Sequence, residues 1–123
     1  MELGAFSVSL SVADLPSSRA FYENLGFRTI GGDGEAWSIL ANGTAVIGLF
    51  HGMFDGTILT FNPGWTGEGE SLEDFTDIRD IASALRALGI TPENDTTGDS
   101  PAGPASFTLT DPDGNALLID QHV

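Results

Sequence analysis

The helical segment near the start of the chain recurs 63 residues later in the same register. Residues 14–27, DLPSSRAFYENLGF, align with residues 77–90, DIRDIASALRALGI, so that Asp14 and Asp77 coincide. In each copy an acidic residue suited to a helix N-cap precedes apolar residues at helical spacing, and a glycine suited to the left-handed conformation ends the pattern. Because a repeated strand and helix cannot bury its apolar face alone, the two copies are expected to pack into one body.

The strands predicted around each helix give both halves the same order. Phe6–Val12 alternates apolar residues with serines, which predicts a strand with one packed face. The order βαβββ then occurs twice, as module 1 at about residues 4–52 and module 2 at about residues 56–123. Because the helices are too few for a doubly wound sheet, the pattern predicts an α+β fold in a single domain over residues 1–123.

Turn residues and periodicity place the other elements. Asn42-Gly43 predicts a tight hairpin, and a short strand is expected somewhere within residues 90–104. The further predicted strands are Arg28–Ile30, Trp37–Leu40, Thr44–Phe50, Gly56–Phe61, Ala105–Thr110 and Ala116–His122. The residues predicted to face inward are Phe21, Tyr22 and Leu25 in the first helix and Ile78, Ile81, Leu85 and Leu88 in the second.

The length and composition are those of a single globular domain. With 123 residues and 41% hydrophobic content, the chain can build one core but not two independent ones. No apolar run approaches the roughly 20 residues of a membrane span. The start MELGAF lacks the basic and apolar parts of a secretion signal, so a cytoplasmic location is expected. The absence of cysteine excludes disulfides, thiolate metal sites and cysteine nucleophiles.

The charge balance is strongly acidic. Eighteen Asp and Glu residues stand against four arginines and no lysine, which gives a net charge of -14. Nucleic-acid binding is excluded as a main function, because the neutralisation of phosphates needs a basic surface. An acidic surface favours cationic ligands, but it is more commonly a means of keeping a protein soluble or an adaptation to salt.

Residues 62–74 form the longest irregular stretch, with Trp65 among glycines and glutamates. Such a composition is typical of an exposed functional loop or a mobile one. Trp65 is then either a lid or dimer contact, or an anchor tucked onto the surface.

Two motifs carry a resemblance to a known family. VADLPSSRAFYENLGF at residues 12–27 and DPDGNALLID at residues 111–120, in a chain of order βαβββ twice, resemble the vicinal oxygen chelate superfamily. That superfamily includes glyoxalase I, bleomycin-resistance proteins, fosfomycin-resistance enzymes and extradiol dioxygenases. The resemblance covers nearly the whole chain. It implies two modules that form a cupped, open mixed sheet with helices outside and a ligand cavity inside, and often a homodimer.

The resemblance also implies where a metal ion would be held. Enzymes of the superfamily bind one divalent ion with His or Glu residues on the first and last strand of each module. Matched residue by residue, those positions fall on Ser7, Gly48, Ile58 and Leu118. None of these residues offers the imidazole or carboxylate that such ions prefer. No metal or other cofactor is therefore expected.

Alternation from these four positions gives the residues expected to line the cavity. They mix apolar and hydroxyl groups, which suits an organic ligand held by burial and a few hydrogen bonds. Phe50 and Trp65 would stack on a planar or cationic ligand, or else serve ordinary core or dimer packing. The expected lining is Ser7, Ser9, Val46, Gly48, Phe50, Ile58, Thr60, Asn62, Leu118 and Asp120, with Trp37 or Ser38, Thr108 and Trp65 as additions.

Asp120 is the one charge in this set and the best catalytic candidate. A carboxylate facing a cavity can pair with an amine or act as an acid or base. The alternative is an exposed residue at the frayed end of a strand. A displaced metal site of His51, Asp120 and His122 is conceivable, although histidines at sheet rims are more often solvated. A Ser-His-Asp arrangement lacks the context of a nucleophile elbow.

The sequence favours a metal-independent binding protein of the bleomycin-resistance kind. It would be a cytoplasmic homodimer that sequesters or carries a small organic ligand, with capture of a cationic one assisted by the acidic field. The alternative function is that of a glyoxalase-like lyase or isomerase that uses Asp120 or a displaced metal ion.

Overall fold

The described part of the chain contains seven strands and two helices, joined by loops and turns. The structure is a computed structural model that describes residues 1–67 and 69–123. The predicted α+β class is confirmed, with the strands in a mixed sheet. Glu68, which belongs to the irregular stretch at residues 62–74, lies outside the described residues. The elements are β1 (Ala5–Ser11), α1 (Leu15–Asn24), β2 (Arg28–Gly32), β3 (Trp37–Asn42), β4 (Ala45–Phe50), β5 (Thr57–Asn62), α2 (Ile78–Ala87), β6 (Ala105–Thr110) and β7 (Ala116–Gln121).

The chain divides into two compact units. The first unit is Ser7–Ile58, and the second unit combines Met1–Phe6 with Leu59–Val123. In the first unit the strands lie in the order β2-β3-β4-β1. Strands β1 and β4 run parallel, whereas β2 with β3 and β3 with β4 are antiparallel. None of the helices in the described ranges is long and apolar enough to cross a membrane.

The predicted hairpin joins β3 to β4, with its loop one residue later than Asn42-Gly43. Asn42 pairs with Ala45, so the two loop residues are Gly43 and Thr44. Gly43 has a φ of 60°, as the first central residue of a type II′ turn requires. Asn42 is the last residue of β3 and lies outside the two-residue loop. Its side-chain amide donates to the carbonyl of Leu25 at 3.2 Å.

Helix α1 begins where the repeat predicts, but its inner face differs from the prediction. Asp14 caps it by accepting a hydrogen bond from the Ser17 amide at 3.1 Å. Leu15 is buried, and Tyr22 packs against the same core. The prediction that Phe21 and Leu25 face inward is wrong, because they are 60% and 59% exposed. At 100° per residue they lie about 120° and 80° away from the direction of Leu15.

The second unit has the strand order β5-β7-β6, with one further segment on β6. Glu93 and Thr108 exchange two backbone hydrogen bonds, of 2.9 and 2.8 Å, and the Thr96 amide donates to Ser106 at 3.0 Å. These contacts form only an isolated bridge, so no strand forms within the described residues 90–104, where a short one was expected. In the described part of this half of the chain the order is β5, α2, β6 and β7, one strand fewer than the repeated order βαβββ predicts.

Helix α2 covers the core of the second unit. Ile78, Ile81 and Leu85 are buried against Phe107 and other apolar residues of β6 and β7. The prediction that Leu88 also faces inward is wrong, because it is 71% exposed. Leu88 lies only about 20° around the helix from the buried Ile81, but it is the capping residue that follows the last helical residue, Ala87.

The end of β7 is fixed to the start of α2 by Gln121, which is 1% exposed. Its side-chain oxygen accepts from the Ile78 amide at 2.8 Å, and its side-chain nitrogen donates to Asp77 at 3.1 Å. The same nitrogen donates to the carbonyls of Gly103 and Val123 at 3.3 and 2.9 Å. The last strand therefore does not end in a frayed segment.

Candidate functional site

The four positions that the resemblance assigns to metal ligands carry side chains that do not fit a metal ion. Ser7, Gly48, Ile58 and Leu118 provide no imidazole or carboxylate. At Gly48 the structure shows what occupies the space instead. A Cβ atom added there would lie 2.6 Å from the Phe50 ring, so the ring covers this position. Within residues 1–67 and 69–123, no three His, Asp or Glu groups are placed to hold a metal ion together.

Three aromatic side chains gather on this face of the first unit. Trp37 and Phe50 are directly opposite each other on β3 and β4, and their rings stack with centroids 6.4 Å apart and planes 9° apart. Phe54 adds a third ring, tilted, 5.4 Å from that of Phe50. All three rings are half-buried. We call Trp37, Phe50 and Phe54 the aromatic face.

The register decides which predicted residues share this face. Ser9 is opposite Gly48 on β1, and Gly48 is opposite Ile39 on β3, so these residues point to the same side as the aromatic face. Ser9 is buried there. The prediction left Trp37 and Ser38 as alternatives. The structure selects Trp37, because Ser38 is opposite the core residue Leu49, on the helix side of the sheet.

The loop before β3 holds the backbone of Trp37. One oxygen of the Asp33 carboxylate accepts hydrogen bonds from the amides of Glu35, Ala36 and Trp37, at 2.8, 2.9 and 3.2 Å. These bonds to the charged form lower the pKa of Asp33 below its ordinary value. The sequence contained a signal for this cap, an Asp between two glycines ahead of a strand, but it did not reveal its link to Trp37.

Replacing Asp33 with Ala is expected to lower Tm slightly at neutral pH and to shift the emission of Trp37. A lowered folded-state pKa means that the stabilisation is present above the unfolded pKa of about 3.9 and is lost as the pH falls through the folded value. The difference in Tm between wild type and Asp33→Ala should therefore shrink below about pH 4. Melting curves between pH 2.5 and 7 measure it. Asp55→Ala, another exposed carboxylate of the first unit, is the control, and a difference that stays constant with pH contradicts the cap.

The remaining predicted contacts belong mostly to the second unit. Leu118 is opposite Thr108, and Asp120 is opposite Ser106, so these four residues share the face of β6 and β7 away from α2. Asn62 at the end of β5 is buried, and its side-chain oxygen has no hydrogen-bond partner among the described residues. A buried amide oxygen without a partner is costly, so this atom is suited to accept a bond from a ligand or a water.

Asp120 shares a hydrogen bond with His122 that the sequence did not predict. Its carboxylate is 2.9 Å from Nε2 of His122, and the His122 ring lies 4.4 Å from the Trp65 ring, tilted by 46°. The hydrogen bond to Asp120 raises the pKa of His122, against a smaller opposing effect of burial. The i, i+2 spacing of Asp120 and His122 was visible, but the contact with Trp65 required the fold. We call these residues the Trp65–His122–Asp120 cluster.

One pocket was not predicted from the sequence. It has a volume of about 650 Å³ and lies between α2 and residues 95–101. Two of the four arginines line it, and both are engaged: Arg79 donates to the carbonyl of Ser100 and pairs with Asp77, and Arg86 pairs with Asp95. The i, i+7 spacing of the arginines on one helix was the available signal. Because both cations are already paired with carboxylates, the pocket offers an anion no excess positive charge.

Comparison with known proteins gives a consistent family. The family model for the glyoxalase/bleomycin resistance protein/dioxygenase superfamily matches residues 4–119. The sequence comparison found no curated protein that matches this chain.

Solved structures of similar fold share little sequence with the chain. A superfamily member from Vibrio splendidus 12B01 is 15% identical with a TM-score of 0.62, over 94% of this chain and 97% of its own. A structure described as NAD-dependent benzaldehyde dehydrogenase from Legionella pneumophila is 18% identical with a TM-score of 0.66, over 96% and 99%.

A Mn(II)-bound glyoxalase from Novosphingobium aromaticivorans is 20% identical with a TM-score of 0.57, over 95% of this chain but 38% of its own. At these identities the likeness concerns the fold and not the chemistry. Together with the family match over residues 4–119, it assigns the fold and the lineage. The chain belongs to the glyoxalase/bleomycin resistance protein/dioxygenase superfamily.

Proposed function

We propose that the protein binds a planar organic ligand on the aromatic face, without a metal ion. The observation that carries this proposal is the Phe50 ring over Gly48, at the position of a metal ligand in the superfamily. An aromatic ring cannot coordinate a hard divalent ion, but it offers a flat apolar surface on which another ring can stack. The half-buried Trp37 beside it enlarges that surface.

A cationic ligand is favoured over a neutral one. The net charge of -14 concentrates cations near the surface and speeds their capture. The faces of Trp and Phe rings attract a cation by about 0.5–2 kcal/mol, depending on how far the contact is desolvated. Both effects act in the same direction, so the ligand class proposed is a planar aromatic cation.

On the first unit, Ser7, Ser9, Val46 and Ile58 are proposed as further contacts of this ligand. The binding residues predicted on the second unit are proposed as a surface of that unit by itself; they are Thr60, Asn62, Trp65, Thr108, Leu118 and Asp120. A homodimer in the cytoplasm, acting to sequester or carry the ligand, completes the proposal. These points rest on the sequence and on the superfamily resemblance.

The test uses two probes of nearly equal shape, the cation N-methylquinolinium and the neutral quinaldine. Trp65→Phe leaves Trp37 as the sole tryptophan, and Trp37→Phe leaves Trp65. In protein treated with EDTA, N-methylquinolinium should quench Trp37 emission saturably and raise Tm, because a ligand that binds the folded state stabilises it. Quinaldine should bind at least about fivefold more weakly, since it lacks the cation–π contribution.

Gly48→Ala tests whether the placement of the Phe50 ring over Gly48 is needed for binding. The added methyl group would meet the Phe50 ring at 2.6 Å and displace it, so the Kd for N-methylquinolinium should rise at least about tenfold, or about 1.4 kcal/mol. Gly31→Ala is the matched control, because its methyl group would lie in ordinary contact 3.8 Å from Ile39. Binding that appears only after a divalent ion is added, or that is equal in both variants, contradicts the proposal.

A further inference from the structure

The Trp65–His122–Asp120 cluster has the geometry of an oriented imidazole. Nε2 of His122 lies 2.9 Å from the Asp120 carboxylate, so the neutral ring donates its Nε2 hydrogen there and keeps its lone pair on Nδ1. The Trp65 ring lies against the imidazole at 4.4 Å. An imidazolium formed by protonation of Nδ1 would be stabilised by both neighbours, by the carboxylate through its charge and by the indole through a cation–π contact.

The backbone on both sides of the cluster is held in place. Gln121, between Asp120 and His122, is buried and fixed to the start of α2. Trp65 pairs with Ser71 in a short antiparallel bridge. Two loop hydrogen bonds close the same turn, from the Leu72 amide to Gly64 at 2.7 Å and from the Thr66 amide to the carbonyl of Glu70 at 2.8 Å. A base on a rigid support keeps its geometry when a ligand binds.

His122 and Asp120 also line a pocket. Its volume of about 360 Å³ is within the range of sites for small molecules. Ser106, directly across from Asp120 on β6, brings a hydroxyl group to its wall. The lining residues are Pro104, Ala105, Ser106, Asp120, Gln121 and His122.

We propose that His122 is a general base that removes a proton from a small ligand in this pocket, with Asp120 as its positioning residue. The proton passes from an acidic C–H or O–H group of the ligand to Nδ1 of His122, and the electron pair of the broken bond stays on the ligand. The imidazolium then donates from Nε2 to Asp120. This activity goes beyond the ligand binding proposed above and uses residues of the second unit.

The pH dependence follows from the groups around the ring. Asp120, on β7, is the charged group that acts on His122 among the described residues, and Trp65 from the loop is uncharged. The hydrogen bond to Asp120 raises the pKa of His122. The base form, and with it the rate, is therefore lost as the pH falls through this raised value, at a higher pH than for an ordinary histidine.

The probe is 5-nitrobenzisoxazole, a small planar compound opened by bases. Removal of the proton at C3 forms the nitrile as the N–O bond breaks, and its electron pair becomes the phenolate oxygen, whose absorbance is followed. Wild-type protein should exceed the rate in buffer with an equal concentration of free imidazole. His122→Gln should lower the excess rate at least tenfold. His51→Gln removes the other histidine of the chain and should leave the rate unchanged.

Asp120→Asn separates a positioning role from a structural one. It should lower the rate about threefold to tenfold and move the midpoint of the pH profile to lower pH, whereas Asp120→Glu should restore part of both. A merely structural Asp120 would change the rate without moving the midpoint. A chemical test avoids a substitution at His122. In His51→Gln, His122 is the remaining histidine, so its modification with diethyl pyrocarbonate should abolish the excess rate, and hydroxylamine should restore it.

The proposal is overturned by a wild-type rate no higher than that of imidazole, by an undiminished rate in His122→Gln, or by an unmoved midpoint in Asp120→Asn. The rate is followed through the phenolate, whereas the binding of N-methylquinolinium is followed through Trp37 emission, so the two measurements are independent. Failure of the aromatic face to bind N-methylquinolinium is thus a separate result from failure of this base.

Discussion

Replacing Gln121 with Ala is expected to lower the free energy of unfolding by about 2–4 kcal/mol. The side chain is 1% exposed and joins β7 to the start of α2. Without it the Ile78 amide, one of the orphan donors at the helix start, has no acceptor, and the Asp77 carboxylate loses a donor. Because the Ile78 amide is buried with the Gln121 side chain, water cannot replace this lost bond without opening the packing.

Chemical denaturation with urea, followed by circular dichroism, measures this loss. Asn24→Ala removes an exposed side-chain amide at the end of α1 and should change stability by less than about 0.5 kcal/mol. Gln121→Glu sharpens the test, since a carboxylate at this place faces Asp77 and should destabilise the protein less as acid protonates it. A loss below about 1 kcal/mol in Gln121→Ala would mean that the bonds of Gln121 do not fix the strand end.

Replacing Gly32 with Ala is expected to destabilise the protein by about 2–4 kcal/mol and to displace Trp37. Gly32 has a φ of 101°, which an L-residue with a side chain rarely adopts. An added Cβ would also lie 2.5 Å from the Trp37 carbonyl oxygen and 2.6 Å from Cα of Ser38. These are backbone atoms, so the strand pair β2 and β3 must separate for the methyl group to fit.

The preceding residue provides the control. In Gly31→Ala the nearest atoms would be those of the Ile39 side chain at 3.8 Å, an ordinary contact, so this variant should stay close to wild type in stability. In the Trp65→Phe background, Gly32→Ala should also shift Trp37 emission and weaken binding of N-methylquinolinium, whereas Gly31→Ala should do neither. Equal effects in the two variants would rule out the close approach of Gly32 to β3.

The repeat predicted most of the fold because both copies carry the same local signals, an acidic N-cap followed by an apolar stripe. Asp14 and Asp77 both cap helices, as acidic residues ahead of an apolar stripe should. Two of the errors share a cause: Leu25 and Leu88 were read as the ends of buried stripes, but they are capping residues after the last helical turn and face solvent. Apolar residues at a helix end keep the period of the stripe without sharing its burial.

The candidate site was only partly predictable. Strand alternation placed Gly48 and Phe50 on one face, but it could not show that the Phe50 ring folds over Gly48, because that depends on a side-chain rotamer. The choice between Trp37 and Ser38 required the register of β3 against β4. Trp65 and His122 are 57 positions apart, and Trp65 lies in a loop without regular periodicity, so no local pattern predicted their contact.

The central claim is that an aromatic surface has taken over the ligand-binding role at a position where the superfamily holds a metal ion. The most direct test is a titration of ¹⁵N-labelled, EDTA-treated protein with N-methylquinolinium, followed by two-dimensional NMR. The account predicts saturable shifts of the Trp37 indole N–H and the Gly48 amide, unchanged when Mg²⁺, Mn²⁺ or Zn²⁺ is withheld. It is contradicted if those two signals stay fixed while the cation binds elsewhere, or if they move only after a divalent ion is supplied.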